Sequence, residues 1–250
     1  MLHLIVTIIL FFNKNFYPLK FRYTYFCTRH TVTSMDIFTI PGREYDSNVY
    51  VVVGKIPTVI DTGTGFYTGM ILESIQKIVK LNQIQQILLT HEHYDHVGGV
   101  QDIVQASKGN ARIFAHKDVV PKLKEGKSTF AEMLGGVMPK LKVDVPLSGG
   151  EQLTLGDQPF EVLVTPGHSI GSLCFYSKKR QALFSGDTIF ADGGFGRYDF
   201  PGGEFNTLLN SIERLAALEV KNLYPGHGPI VEQHGKDHVL KALNSIRSLM

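Results

Sequence analysis

Three histidines and an aspartate fall within six positions in His91-Glu92-His93-Tyr94-Asp95-His96, directly behind the apolar run Ile84 to Leu89 and ahead of Gly98-Gly99. An apolar run that ends in a polar loop reads as a strand delivering side chains to a site. In extended backbone, residues two apart point the same way, so His91 and His93 can share one metal ion. Asp95 and His96, further round the turn, are placed to hold a second. Imidazole nitrogen suits zinc, iron and other first-row metals, and a carboxylate adds a hard anionic donor that favours two cations side by side. A solvated polar loop is the plain alternative, but it leaves the density of donors behind a buried-looking strand without a cause.

The pattern Thr90-His91-x-His93-x-Asp95-His96 followed by Gly98-Gly99 resembles the signature of the metallo-β-lactamase superfamily. That resemblance implies a further histidine, a bridging aspartate and a last histidine, each after its own strand. His168 in Thr165-Pro166-Gly167-His168-Ser169, Asp187 in Ser185-Gly186-Asp187-Thr188 and His227 in Tyr224-Pro225-Gly226-His227-Gly228 stand in that order. Carried over residue by residue, the resemblance puts one divalent metal ion on His91, His93 and His168 and a second on Asp95, His96 and His227, with Asp187 bridging. Zinc is the first expectation, and iron or manganese suits the same donors. Asp61, in Asp61-Thr62-Gly63, stands where the superfamily places a carboxylate that braces a metal-bound histidine and so fixes its ring orientation. The implied fold is α/β (α+β), a four-layer αββα sandwich. A hydroxide held between two such ions is a strong nucleophile at neutral pH, with Asp95 able to orient it and open coordination positions able to polarise a carbonyl.

The wording around these residues looks like the glyoxalase II branch, whose members hydrolyse thioesters such as S-lactoylglutathione. A thiolate leaves with little protonation, because a thiol has a pKa of about 8.5. The likeness spans about residues 35–230 and departs from glyoxalase II in two places. The chain runs on only to Met250 after His227-Gly228-Pro229, which leads to the expectation that the helical substrate domain is absent, and no Tyr follows the last histidine. Arg197 keeps the basic character of a glutathione-contacting position, whereas Asp199 falls where an aromatic is usual. Gly196-Arg197-Tyr198-Asp199-Phe200-Pro201-Gly202-Gly203 is similar to the compact glyoxalase II-like hydrolases. Rival readings are a persulfide dioxygenase with one iron, a lactonase or phosphodiesterase of the same fold, and a non-catalytic metal-binding module, the last disfavoured by an undamaged donor set.

The elements that must position these residues follow from periodicity. Short strands are expected at Ile37 to Ile40, Asn48 to Val53 and Thr58 to Ile60, then at Ala111 to Ala115 ending in His116. His116 is a candidate substrate contact, with an ordinary surface position as the alternative. Ile71, Ile75, Ile78 and Val79 recur at helical spacing, as do Leu208, Ile212, Leu215 and Leu218 within Glu204 to Leu218, and Val239, Leu243 and Ile246. Between them come Gln152 to Leu155, Phe160 to Val164, Ser172 to Tyr176, Gln181 to Phe184 and Leu223-Tyr224, all β-rich. Residues 117–147, with several lysines around Phe130, Met133, Leu134 and Met138, have the composition of a flap over the site or of a plain surface connection. His234 and His238 lack a third partner in sequence and read as surface residues.

A chain of 250 residues with 43% hydrophobic content can bury a full core in one domain. The formal charge is +2, and Lys14, Lys20, Arg22 and Arg29 lie within residues 1–34 with no acid, so the remainder carries no basic stripe for nucleic acid and a small-molecule substrate is expected. Residues 1–34 read as an N-terminal extension outside a hydrolase domain at 35–250, with Met35 a natural start; Met1 to Phe12 is apolar but too short to span a bilayer, which takes about 20 residues. A membrane-associating tail is the alternative for that segment. Two cysteines give no disulfide framework, and the default is a reducing, cytoplasmic setting. Asp187→Asn is expected to abolish turnover while leaving the fold intact by circular dichroism; an active, folded variant would overturn a two-metal mechanism.

Overall fold

The computed structural model describes residues 36–127 and 130–250, which belong to one compact unit, Ser34–Met250. The expected N-terminal extension lies outside the described residues. The first sheet takes its strands in chain order: β1 (Ile37–Ile40), β2 (Val49–Val52), β3 (Thr58–Ile60), β4 (Gln86–Leu88), β5 (Arg112–His116) and β6 (Val145–Leu147). Its first three strands are antiparallel and β3 to β6 run parallel. The second sheet has the order β11-β10-β9-β8-β7, from β7 (Gln152–Leu155), β8 (Gln158–Val164), β9 (Leu173–Ser177), β10 (Ala182–Gly186) and β11 (Asn222–Pro225), with only β10 and β11 parallel.

Period-two alternation builds the layers. In β2, Tyr50 and Val52 face the second sheet while Val49 and Val51 face outward, and β9 divides Leu173 and Phe175 from Cys174 and Tyr176 in the same way. Strands buried on both faces carry near-continuous apolar runs, which is why β2, β9 and β10 look hydrophobic throughout. The outer face of the first sheet is covered by α1 (Thr68–Ile78), α3 (Val100–Ala106) and α4 (Val120–Glu125), with Ile71, Ile75, Val100, Ile103 and Leu123 in that contact. The outer face of the second is covered by α5 (Phe205–Ala216) and α6 (Gly235–Arg247), through Leu208, Ile212, Leu215, Val239 and Ile246. The result is the expected αββα sandwich. Glu204 caps α5 by accepting from the backbone N–H groups of Asn206 and Thr207 at 3.0 and 2.6 Å.

The stretch 117–147 holds more structure than its composition indicates. Pro121 sits in the first turn of α4, Gly126 closes that helix in the left-handed conformation, and Val145-Pro146-Leu147 adds a strand to the edge of the first sheet. A proline hides such a strand from pattern reading, and only an edge tolerates it, because it donates nothing to the ladder. His116, the last residue of β5, is 4% exposed, so the surface alternative for it is wrong. Among the described residues no helix is long and apolar enough to cross a membrane.

The two sheets are tied where their strands end. Asn48 at the head of β2 donates through Nδ2 to the carbonyls of Pro225 and Gly228 at 3.1 and 2.9 Å and accepts from the Gly42 N–H at 3.0 Å, while the Tyr50 hydroxyl donates to the Pro225 carbonyl at 2.5 Å. Asn48→Ala removes the part-buried bonds to the Gly228 carbonyl and the Gly42 N–H, at a cost of about 1 kcal/mol. Urea unfolding of the variant is expected to show that loss at an unchanged slope, together with weaker metal retention by the Gly226-His227 turn.

Candidate metal centre

The parallel strands all deliver their C-terminal ends to one side. Asp61 follows β3, Thr90 and His91 follow β4, Asp187 follows β10 and His227 follows β11. Carboxyl ends of parallel strands are where open α/β sheets gather ligands. A cavity of about 730 Å³ lined by Lys55, Pro57 and Gln85 lies instead before β3 and β4 begin and contains none of the seven donors.

The seven side chains converge in three overlapping groups. His91, His93 and His168 form the first; Asp95, His96 and His227 form another; and His91, His96 and Asp187 link them. His93 Nδ1 is 3.0 Å from His91 Nε2 and 2.9 Å from His168 Nε2. In the second group His227 Nε2 is 3.0 Å from Asp95 Oδ2 and 3.3 Å from His96 Nε2. Asp187 lies between them, with Oδ1 3.3 Å from His96 Nε2 and Oδ2 at 3.6 and 3.7 Å from the Nε2 atoms of His168 and His227. His93 ends the extended run and starts a short helix, α2 (Tyr94–Val97), so Asp95 and His96 are turned by helical rather than extended geometry.

Hydrogen bonds behind the rings decide which nitrogen carries a lone pair. His96 donates through Nδ1 to Asp61 Oδ2 at 2.8 Å, and His168 donates through Nδ1 to the Arg197 carbonyl at 2.7 Å. Thr90 gives its hydroxyl proton to Asp61 Oδ2 at 2.8 Å and can accept from His91 Nδ1 at 3.1 Å. Each bond commits Nδ1 as a donor and leaves the Nε2 lone pair aimed at the other donors. Lone pairs facing one another about 3 Å apart repel unless a proton or a metal ion lies among them. Asp187 Oδ1 is buried with no hydrogen-bond partner, which is the same demand made by a carboxylate. The donor set therefore fits two metal ions.

The backbone around the centre is held in uncommon geometry. Asp61 has φ 57°, a left-handed conformation that carbonyl-bonding Asp tolerates better than most residues, and it receives the Thr90 N–H at 2.8 Å as well as its two side-chain partners. A side chain at Gly226 would run into Asp187 Oδ1 and His96, and one at Gly196 would run into the Asp187 carbonyl and His168. Only glycine allows these turns to pass so close.

Charge is distributed unevenly between the groups. Burial, reinforced by neighbouring imidazoles, pushes the His91 pKa well below the usual histidine value and that of His93 down to about 3. Burial acts the same way on His96 and His227, but the carboxylates of Asp187, Asp61 and Asp95 outweigh it at His96, and Asp187 and Asp95 do so at His227, so both are raised. Asp187 and Asp95 resist the upward push of burial because these same histidines hold them ionised. The mouth opens on the second group: the His227 side chain is 33% exposed and Asp95 18%, against 0% for His96.

Asp61 touches His96 as a bracing carboxylate does. His116 is in none of the three groups; its Nδ1 accepts from the Asp118 N–H at 3.4 Å. The Arg197 guanidinium, 65% exposed, is engaged twice by Asp199 at 3.0 and 2.7 Å, and the residue meets the centre through its backbone carbonyl. His238 is no simple surface residue, since its Nδ1 accepts from the Asp192 N–H at 2.7 Å. Cys174 is fully buried, and burial lifts its thiol to about 11. Pattern reading missed Glu92, which is 1% exposed, accepts from Ser169 Oγ at 2.8 Å and lies 3.7 Å from Lys122 Nζ. It fastens the loop of His91 and His93 to that of His168; an acid pointing away between two metal-facing histidines was the available signal.

The sequence profile of the metallo-beta-lactamase superfamily matches residues 42–227. The chain is 33% identical over 199 residues to "Probable metallo-hydrolase MJ0888" of Methanocaldococcus jannaschii, covering 78% of this chain and 93% of that protein. It is 31% identical over 204 residues to "Hydroxyacylglutathione hydrolase GloC" of Haemophilus influenzae, covering 78% and 91%. Among solved structures, TTHA1623 in a di-iron-bound form superposes with a TM-score of 0.65 at 32% identity, covering 80% of this chain and 96% of that one.

Protons compete more strongly for the second group, where the pKa values of His96 and His227 are raised, than for the first, where those of His91 and His93 are lowered. Acidification is therefore expected to release metal in two steps, the second group first, with affinity falling up to about tenfold per pH unit for each displaced proton. Metal content after dialysis at descending pH tests this. His227→Ala should remove the early step alone; loss of both ions together would contradict the reading.

Proposed function

The chain belongs to the metallo-beta-lactamase superfamily, and from that premise we propose that it is a dinuclear metal-dependent hydrolase of thioesters of the hydroxyacylglutathione kind. The observation that carries the reading is the position of Asp187, with one oxygen toward His96 and the other toward His168 and His227, as a carboxylate shared between two sites must be. His91, His93 and His168 hold one ion, Asp95, His96 and His227 the other, and Asp61 braces His96. Two divalent ions supply an activated water and a Lewis acid for a carbonyl. Zinc or iron suits these donors, and the di-iron form of TTHA1623 supports iron as a real option.

The protein's own groups then do the following. Asp95, held low in pKa and 3.0 Å from His227, stays ionised to orient the water and accept a hydrogen bond from it. The Nδ1 bonds of His91, His96 and His168 keep the rings from rotating as charge develops. Burial of all but the mouth-side donors excludes bulk water behind the reacting carbonyl, which strengthens electrostatic stabilisation of the oxyanion. Expulsion of a thiolate asks for no strong general acid. The likeness to GloC at 31% identity supports a thioester over a lactone or phosphodiester.

The experiment is hydrolysis of S-lactoylglutathione by purified, metal-loaded protein, with metal content measured on the same sample. Turnover that is lost on chelation and restored by metal is the expected result. Two bound ions without turnover would overturn the thioester reading and leave the metal centre standing.

A further inference from the structure

The first metal group has an aromatic neighbour that the chemistry described above does not use. The Phe130 ring stands edge-on to His93 with centroids 4.8 Å apart, and Phe200 stands edge-on to the same ring at 6.5 Å. The two phenylalanines pack on one another at 4.4 Å, and the Arg197 guanidinium carbon lies 4.1 Å from the Phe200 centroid. Both rings are only half-buried. Phe130 has φ 70°, which is uncommon for a bulky residue and turns its backbone sharply beside the site. Ile170, two residues beyond His168 and 45% exposed, flanks the same loop at Gly202.

The electrostatics of this wall matter as much as its shape. Asp199 engages Arg197 through both its oxygens, which pairs the guanidinium charge while its carbon stands over the Phe200 ring. A glutathione group brings two carboxylates and an ammonium, and desolvating those against aromatic edges without partners is unfavourable. An alkyl or aryl substituent on the reacting carbonyl loses nothing there and gains burial.

We propose that Phe130 and Phe200 form the acyl subsite of this enzyme, and that its substrates carry an apolar acyl group larger than lactoyl. The inference rests on the hydrolase reading, with the acyl carbonyl at the metal centre and its chain running along the two rings beside His93. The glutathione contact expected of Arg197 is replaced by this role as a backing plate.

The test separates the subsite from the reaction. Straight-chain carboxylates from acetate to heptanoate are titrated calorimetrically into the two-metal protein, since each is the product of one acyl substrate and needs no turnover. Affinity is expected to rise about threefold to fourfold per buried methylene until the wall is covered. Phe130→Ala and Phe200→Ala should flatten that dependence, and Phe130→Leu should retain most of it, with melting temperature and metal content followed for every variant. The same acyl series as glutathione thioesters should show the same rise in kcat/KM. A flat chain-length dependence in the natural protein, or one that survives both alanine variants, overturns the proposal. A steep dependence with inert thioesters upholds the acyl wall and sinks the thioester reading instead.

Discussion

Everything in this molecule has to support one unfavourable arrangement: imidazole lone pairs and carboxylate oxygens from separate loops aimed at one another in a space from which water is largely removed. Left to themselves these groups would rotate apart. Three of the rings stay because the nitrogen on the far side is occupied, by Asp61 for His96, by the Arg197 carbonyl for His168 and by Thr90 for His91. Thr90 and Asp61 are in turn locked together by a backbone and a side-chain bond at 2.8 Å each. Divalent cations bind by taking up these lone pairs in place of protons, which is why the affinity of the site depends on pH.

The sandwich makes this arrangement possible by bringing the strand ends of its two sheets to one rim. The first sheet contributes Asp61 and the His91 to His96 run; the second contributes His168, Asp187 and His227. Contacts across the seam are short and buried, among them the Leu173 N–H to the Thr90 carbonyl at 2.7 Å and the Asn48 N–H to the Gly226 carbonyl at 2.7 Å. A rigid seam is needed because metal donors tolerate little displacement, and loops carried on strand ends move less than loops that are free.

How much of this the sequence discloses depends on which force sets each feature. Strands and helices with long apolar periods, such as α1, α5 and β9, are legible because burial alone decides them. The donors of the His91 to His96 run are legible because metal chemistry restricts both residue type and spacing, whereas His168, Asp187, His227 and Asp61 are placed by the resemblance to the superfamily. Features set by tertiary contact were not. The three-residue β6 is held at an edge by its neighbour β5 and contains a proline, so no local pattern announces it. The role of Glu92 depends on Ser169, which lies far along the chain, and the carbonyl of Arg197 has no side-chain signature at all. His116 looked exposed because a histidine at a strand end usually is, yet the turn after β5 folds over it and supplies the Asp118 N–H.

Arg197 shows how a correct residue can be read for the wrong atom. A basic side chain beside a metal centre invites a salt bridge to an anionic substrate, and the sequence gives no reason to look past it. Asp199, two positions on, competes for that role: its carboxylate takes up one edge of the guanidinium, through Nε and Nη2. What remains of the guanidinium is its flat face, which suits an aromatic ring, and its rigid tether, which places its own carbonyl on His168. The catalytic centre sits on strand ends fixed by the core, whereas discrimination between substrates sits on Arg197, Phe200 and Phe130, carried by connections whose sequences the core does not constrain.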